Sequence, residues 1–372
     1  MTFIELPLSK VLSFHNGKKP PELVSAGYPV FGSNGPIGLT KAFNHENAVI
    51  LGRVGAYCGS VEYCEGRFWA SDNTIVVKPL DGFDAKYLYY SLKNQPLRSY
   101  AGGAAQPLIT HGILKPIKAK YHGQGDQKRI ANILSAYDDL IENNRRRIAL
   151  LEEAARQLYK EWFVRFRFPG HEHVKIIDGV PEGWEPTRLG NLVSTNSRSY
   201  SAKSIPEHLR YIDISAVNKG EITLNSPISS EEAPGRARRI ARHGDVIWSN
   251  VRPNLRAYAL VMNPDEIDVF STGFTVLSSA ILPFSFLYLH TTTDAFVNYL
   301  MNHTTGASYP AVRPDDFERA EMIMPPENLL IAFHELCEPN FEMMAVLRQQ
   351  ADQLAKARDL LIPKLMSGTL TV

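Results

Sequence analysis

The chain is poor in cysteine: Cys58, Cys64 and Cys337 are all that its 372 residues carry, and none sits in a C-x-x-C pair. An odd, scattered set argues against a disulfide framework or a structural zinc site and fits a reducing cytosol. Net charge is equally scarce, with 40 Lys and Arg against 39 Asp and Glu. That balance argues against a disordered basic arm and leaves room for local basic patches. No apolar run reaches membrane-spanning length, and Glu5 and Lys10 interrupt the N-terminus where a signal peptide needs an apolar stretch. Motifs that carry chemistry are missing too. There is no G-x-x-x-x-G-K-[ST] phosphate loop and no Asn-Pro-Pro-aromatic tetrapeptide for holding a target amine. Histidines are scattered singly, without metal-ligand spacing. Gly32, Gly35 and Gly38 lack the strand-to-helix context of a dinucleotide site. Asp315, Asp316 and Glu318 crowd a Pro-preceded turn, which a helix cap explains better than a metal-binding nuclease site.

What the chain does have is a long heptad seam. Ile130, Leu134, Tyr137, Ile141, Asn144, Ile148, Leu151, Ala155, Leu158 and Trp162 alternate at spacings of four and three. Such a narrow stripe demands a facing helix, and a buried Asn such as Asn144 fixes register at some cost in stability. At about 1.5 Å per residue the stripe runs on the order of 50 Å. The partner lies 203 positions on, as Phe333, Cys337, Asn340, Met344, Leu347, Ala351, Leu354, Leu361 and Leu365, with Arg358 interrupting it. Pro339 should kink or break this second helix near Glu338, and Pro363 should bend or end it.

The same shift carries Gln106-Pro107 onto Tyr309-Pro310 and residues 108–117 onto 311–320, while residues 8–13 resemble 189–194. A period this long is a duplicated domain plus helix, not a solenoid. The expected divisions are a first globular unit at 1–122, a long helix at 123–165, a linker at 166–184 packed by its aromatics, a second globular unit at 185–325, and a second long helix at 326–372. Both units read as mixed α/β. Strand-like runs fall at 48–51, 74–77 and 115–120 in the first and at 211–214, 245–248, 257–261 and 274–277 in the second. A turn is expected at 33–36, and helices at 85–92 and 287–302.

Polar, aromatic and cationic groups on loops remain to carry function. Residues 236–256 hold Arg236, Arg238, Arg239, Arg242, Arg252 and Arg256 against the single acid Asp245, with Asn250 and Asn254 interleaved. Arginine forks match guanine edges and phosphates, and Asn matches adenine edges. Taken alone, such a run also fits a solvated surface loop. The first unit has a sparser set: Lys18, Lys19, Asn34, Lys41, Arg53, Tyr57, Arg67 and Gln106.

Several stretches resemble the specificity subunits of type I restriction-modification systems. They are 28–38 (YPVFGSNGPIG), 50–59 (ILGRVGAYCG), 104–110 (AAQPLIT), 127–163, 181–189 (PEGWEPTRL), 244–248 (GDVIW), 305–310 (TGASYP) and 363–368 (PKLMSG). The resemblance implies an α+β fold in which two similar target recognition domains are joined by two long helices. Those helices would pair as an antiparallel coiled coil, relating the domains by a pseudo-two-fold axis. It also implies a non-catalytic, cytoplasmic subunit that reads an asymmetric bipartite site in double-stranded DNA. The subunit would dock two methyltransferase subunits and, for restriction, motor-nuclease subunits; those partners would use S-adenosylmethionine, ATP and Mg²⁺. A 50 Å spacer against roughly 34 Å per DNA turn places domain centres about one and a half turns apart. The candidate DNA contacts are Lys18, Lys19, Asn34, Arg53, Tyr57 and Gln106 in the first domain. In the second they are Arg198, Arg236, Arg238, Arg239, Asn250, Arg252, Asn254, Arg256, Tyr309 and Arg313. The alternative is a protein-binding scaffold with two similar domains on a helical hairpin, which would show no salt-dependent affinity for random duplex.

Overall fold

The structure, a computed structural model, describes residues 3–103, 106–201, 203–306 and 309–372. The chain divides into two compact units, Met1–Asn144 with Gln349–Val372, and Arg145–Arg348.

The first unit is built on seven strands before its first helix: β1 (Phe3–Pro7), β2 (Leu12–Asn16), β3 (Tyr28–Gly32), β4 (Gly35–Thr40), β5 (His45–Gly52), β6 (Val61–Ala70) and β7 (Thr74–Pro79). Six of them form one sheet in the order β2-β7-β5-β6-β3-β4, antiparallel except where β3 runs beside the end of β6. The apolar runs of β5 and β7 are continuous because both faces are covered. Val49, Leu51, Ile75 and Val77 enter one core, while Ala48, Ile50 and Val76 enter another with Phe31 and Phe68. Helix α1 (Ala85–Lys93) starts at Asp84, whose carboxylate accepts the Tyr87 N–H at 2.9 Å. A short α2 (His111–Leu114) precedes β8 (Lys118–His122), which pairs antiparallel with β1.

The next elements are helix α3 (Gln124–Tyr159), which ends in a π-turn at Lys160–Val164, and the small strands β9 (Ile176–Ile177) and β10 (Val180–Pro181). The expected aromatic packing of the linker is present, since Trp184 meets Phe163, Phe166 and Phe168 at centroid distances of 5.3–5.9 Å.

The second unit repeats the first one's path. Its strands begin with β11 (Glu185–Arg188), β12 (Ser194–Thr195), β13 (His208–Ile212), β14 (Val217–Asn218), β15 (Glu221–Ile222) and β16 (Ile228–Ser229). They continue with β17 (Ala237–Arg239), β18 (Val246–Ser249), β19 (Tyr258–Leu260), β20 (Asp268–Ser271) and β21 (Phe274–Ser278). The order β12-β21-β18-β19 matches β2-β7-β5-β6. Where one long β6 serves both β5 and β3, the second unit uses β19 beside β18 and then β20 parallel to β13. The two-faced burial recurs: Val246, Trp248 and Leu277 lie in one core, Ile247, Phe274 and Val276 in another. Helices α4 (Phe284–Thr291), α5 (Asp294–Asn302) and α6 (Pro314–Glu318) follow, then β22 (Glu321–Met324) antiparallel to β11, as β8 is to β1. The single helix expected at 287–302 is two, because the Thr293 hydroxyl caps a new start by accepting the Phe296 N–H.

Helix α7 (Glu327–Ser367) is continuous. The break expected at Pro339 is absent, and Pro363 leaves the helix running four residues further. Pro339 itself is solvent-exposed, while Cys337 and Phe341 on either side are buried in the core. That packing holds the helix across the missing hydrogen bond.

In the first unit, Arg358 pairs with Asp138 and the Asn144 amide reaches Gln350 at 3.5 Å, so α7 numbers fall as α3 numbers rise. Ile130 and Leu134 share a core with Ile362, Leu365 and Met366. In the second unit, Tyr159, Trp162 and Phe163 surround Phe333. The seam residues Ile130, Leu134, Tyr137, Ile141, Asn144, Ile148, Leu151, Leu158, Met344, Leu347, Leu354 and Leu361 are all buried or half-buried. Their neighbours Leu140, Leu150, Leu336, Met343 and Leu360 stand in solvent.

Candidate nucleic-acid interface

Each unit ends its sheet in a cluster of loops fastened by backbone hydrogen bonds. In the first, the two residues between β3 and β4 are Ser33 and Asn34. Ser33 Oγ donates to the Asn73 carbonyl at 2.6 Å and accepts the Val54 N–H at 3.3 Å. Arg53 N–H donates to the same carbonyl at 2.9 Å. Gly55 N–H donates to Pro107 O at 3.0 Å, and Ile109 N–H to Arg53 O at 2.9 Å. Lys18 is tied in through Ala70 O and the Trp69 indole. The structure thereby brings the loops of Lys18, Asn34, Arg53, Tyr57 and Gln106 together. Lys18, Lys19, Asn34, Tyr57 and Gln106 are exposed, and Arg53 is half-buried without a carboxylate partner among the described residues.

The second unit repeats this wiring. Val312 N–H donates to Asn250 O at 2.8 Å, and Arg252 N–H donates to Pro310 O at 2.7 Å. Bridges Val54–Leu108 and Gly102–Leu108 have counterparts in Val251–Ala311 and Thr305–Ala311. Asn250 therefore stands where Arg53 does, Arg252 where Gly55 does, and Tyr309 where Gln106 does. Ala104 and Ala105, and Ala307 and Ser308, of the loops expected here lie outside the described residues, as does Ala202.

Gly55 has φ +76° with open space around it, so its conformation rather than crowding calls for glycine. Arg252 takes the same left-handed region at φ +50°, and Arg256 at +57°. A left-handed residue other than Gly costs roughly 1–2 kcal/mol. Nothing in the sequence announces this, since arginine has no preference for that region. The Arg252 guanidinium lies 4.4 Å over the exposed Tyr309 ring.

The other arginines divide by partner. Arg198, expected on phosphate, donates instead to the nearly buried Asp245 at 2.7 Å and to Ser278 Oγ, so it is committed inside the unit. Arg256 pairs with Asp294, whose carboxyl is held below the usual range by that hydrogen bond. Arg239 donates to Ser199 Oγ, and burial lowers the proton affinity of its guanidinium. Arg238 donates to the Ala237 carbonyl. Asn250 Oδ1 accepts from the Thr275 hydroxyl at 2.6 Å, which leaves its amide N–H groups to other partners. Arg236, Arg252, Asn254 and Arg313 are exposed. Sequence reasoning missed Leu255, 59% exposed at the loop tip. It also missed the Asn73 carbonyl that holds the first cluster together.

The fold and site thus define a duplicated α+β protein, two units of one topology that each present cationic and planar side chains on wired loops. Residues 5–153 match the Type I restriction modification DNA specificity domain. Two curated relatives come from Methanocaldococcus jannaschii. The type I restriction enzyme MjaIX specificity subunit is 27% identical, spanning 79% of this chain and 71% of its own. The MjaVIII specificity subunit is 24% identical over 78% and 71%. The crystal structure of the type I restriction-modification S subunit from M. genitalium superposes with a TM-score of 0.61 at 17% identity, covering 98% of this chain and 96% of the other. Over residues 5–153 the chain carries a match to that family's DNA specificity domain, and over most of its length it is similar to type I restriction-modification specificity subunits. No helix among the described residues is long and apolar enough to cross a membrane.

Proposed function

We infer that this chain is the non-catalytic reader of a type I assembly, in which each unit reads one half of an asymmetric bipartite site in double-stranded DNA. The observation that carries this reading is the recurrence of one loop wiring, around Gly55 and Pro107 and again around Arg252 and Pro310, with different side chains displayed on it. Shared wiring gives equivalent readers; Gln106 against Tyr309 and Gly55 against Arg252 give them different targets. The two long helices act as an antiparallel spacer under a pseudo-two-fold axis, setting the distance between half-sites. Leu140, Leu150, Leu336, Met343 and Leu360, apolar yet exposed on these helices, suit the docking of two methyltransferase subunits and of motor-nuclease subunits. S-adenosylmethionine, ATP and Mg²⁺ would be used by those partners, not by this chain.

Mapping methylated adenines genome-wide in a host with and without this chain tests the proposal. A bipartite, asymmetric motif that depends on the chain is expected. Methylation unchanged by its deletion, together with no salt-dependent duplex binding by the purified chain, would remove the basis for a DNA reader.

A further inference from the structure

In the second unit's loops, Arg252 has both its backbone and its side chain held in an unusual state. Its backbone sits at φ +50°, anchored by its N–H to Pro310 O, and its guanidinium lies over Tyr309. Tyr309 is 66% exposed, so burial in the core does not account for the stack. Arg198, Arg210, Arg256 and Arg319 all have carboxylate partners, whereas Arg252 has none among the described residues. The equivalent position in the first unit is Gly55, for which this backbone is free of strain. A side chain is thus kept where glycine would sit more easily, and its neighbour orients the plane of its fork.

A phosphate contact needs positive charge and tolerates slack in its position; a base edge needs a fork held in one plane. From this we propose that Arg252 is a specificity-determining residue that reads a guanine in the second half-site through O6 and N7, and that Tyr309 is its positioning residue. This rests on the DNA-reading function proposed above. It adds a base to one half-site and assigns no such reader to the first, where Gly55 and Gln106 occupy the two positions.

The test uses the full chain in its assembled complex, with the methylated motif and competition binding as readouts. The wild-type motif should hold an invariant guanine in the half read by the second unit. Arg252→Lys keeps the charge and loses the fork. It should cut discrimination at that base by about 5- to 150-fold, the range of a bidentate arginine–guanine pair, with the first half-site unchanged. Tyr309→Leu should relax the same base more weakly, and Tyr309→Phe, which keeps the ring, should restore it. If Arg252→Lys leaves the motif intact, or Arg252→Ala weakens all duplexes evenly with a salt slope smaller by about one, the residue holds a phosphate and the inference falls while the reader stands. If the wild-type complex shows no sequence preference, the proposed function itself falls, and the inference with it.

Discussion

Arg358 shows how one residue can look like a flaw in a pattern and be part of it. It interrupts the apolar seam of α7, yet its side chain is only 13% exposed and bonds Asp138 on α3, which also accepts the Tyr90 hydroxyl at 2.5 Å. Removing Arg358 leaves the half-buried Asp138 carboxylate without its cation, although the Tyr90 hydroxyl still bonds it. Arg358→Ala should therefore lower unfolding stability by about 2 kcal/mol, below the usual 3–5 for a fully buried pair because Asp138 keeps some water. Arg358→Leu combined with Asp138→Ala should recover part of the loss in urea titrations; strict additivity of the two single changes would disprove the coupling. His290 is a second such residue. It is buried between Tyr159 and a stacked Phe286, and burial pushes its imidazole down to about 4. The unfolded chain binds that proton near pH 6.5 while the folded one resists it. Stability is therefore full above about pH 6.5, falls by about 3 kcal/mol as pH drops toward 4, and levels off below. His290→Gln should flatten that acid limb of the thermal-melting profile; an unchanged limb would assign it to carboxylates instead. Neither residue's role could be read from sequence, because each depends on a partner 131 or 220 positions away. The seam apolars and Asn144 could be read, because burial along a helix is encoded by local spacing.

At the scale of elements, period decided what was readable. The seam gave the long helices because a 36- and a 41-residue helix repeat one spacing many times. The short strands were located by their apolar runs, but their order was not, since strand partners are distant in the chain. At α7 the local rule allowed a kink or a break near Glu338, and the helix runs on through Pro339 without a break. Tertiary packing of Phe333, Cys337, Phe341 and Met344 in the second core outweighs the lost hydrogen bond. The residue is exposed, so its side chain adds little to offset that cost. Pro339→Ala should then raise stability by about 2–2.5 kcal/mol, the interior-helix penalty less the unfolded-state entropy that proline removes. A fall in the denaturation midpoint would mean the proline supplies a bend that the packing requires.

For the whole molecule, the proposed spacer makes a metric prediction. Inserting one seven-residue repeat after Asn144 in α3 and another after Arg348 in α7 adds two full helical turns to each helix. Heptads keep the seam in phase, so Ile130, Leu134, Ile141 and Met344 still face their partners. Each insertion adds about 10 Å at 1.5 Å per residue. On DNA rising about 3.4 Å per base pair, that is roughly three base pairs. The variant should recognise the same two half-sites separated by about three more non-specific pairs, readable in the methylated motif. Insertions of five residues in both helices, although similar in length, rotate the seam out of register and should abolish recognition and lower stability together. An unchanged separation in the heptad variant would show that the distance between half-sites is set elsewhere than by the paired helices.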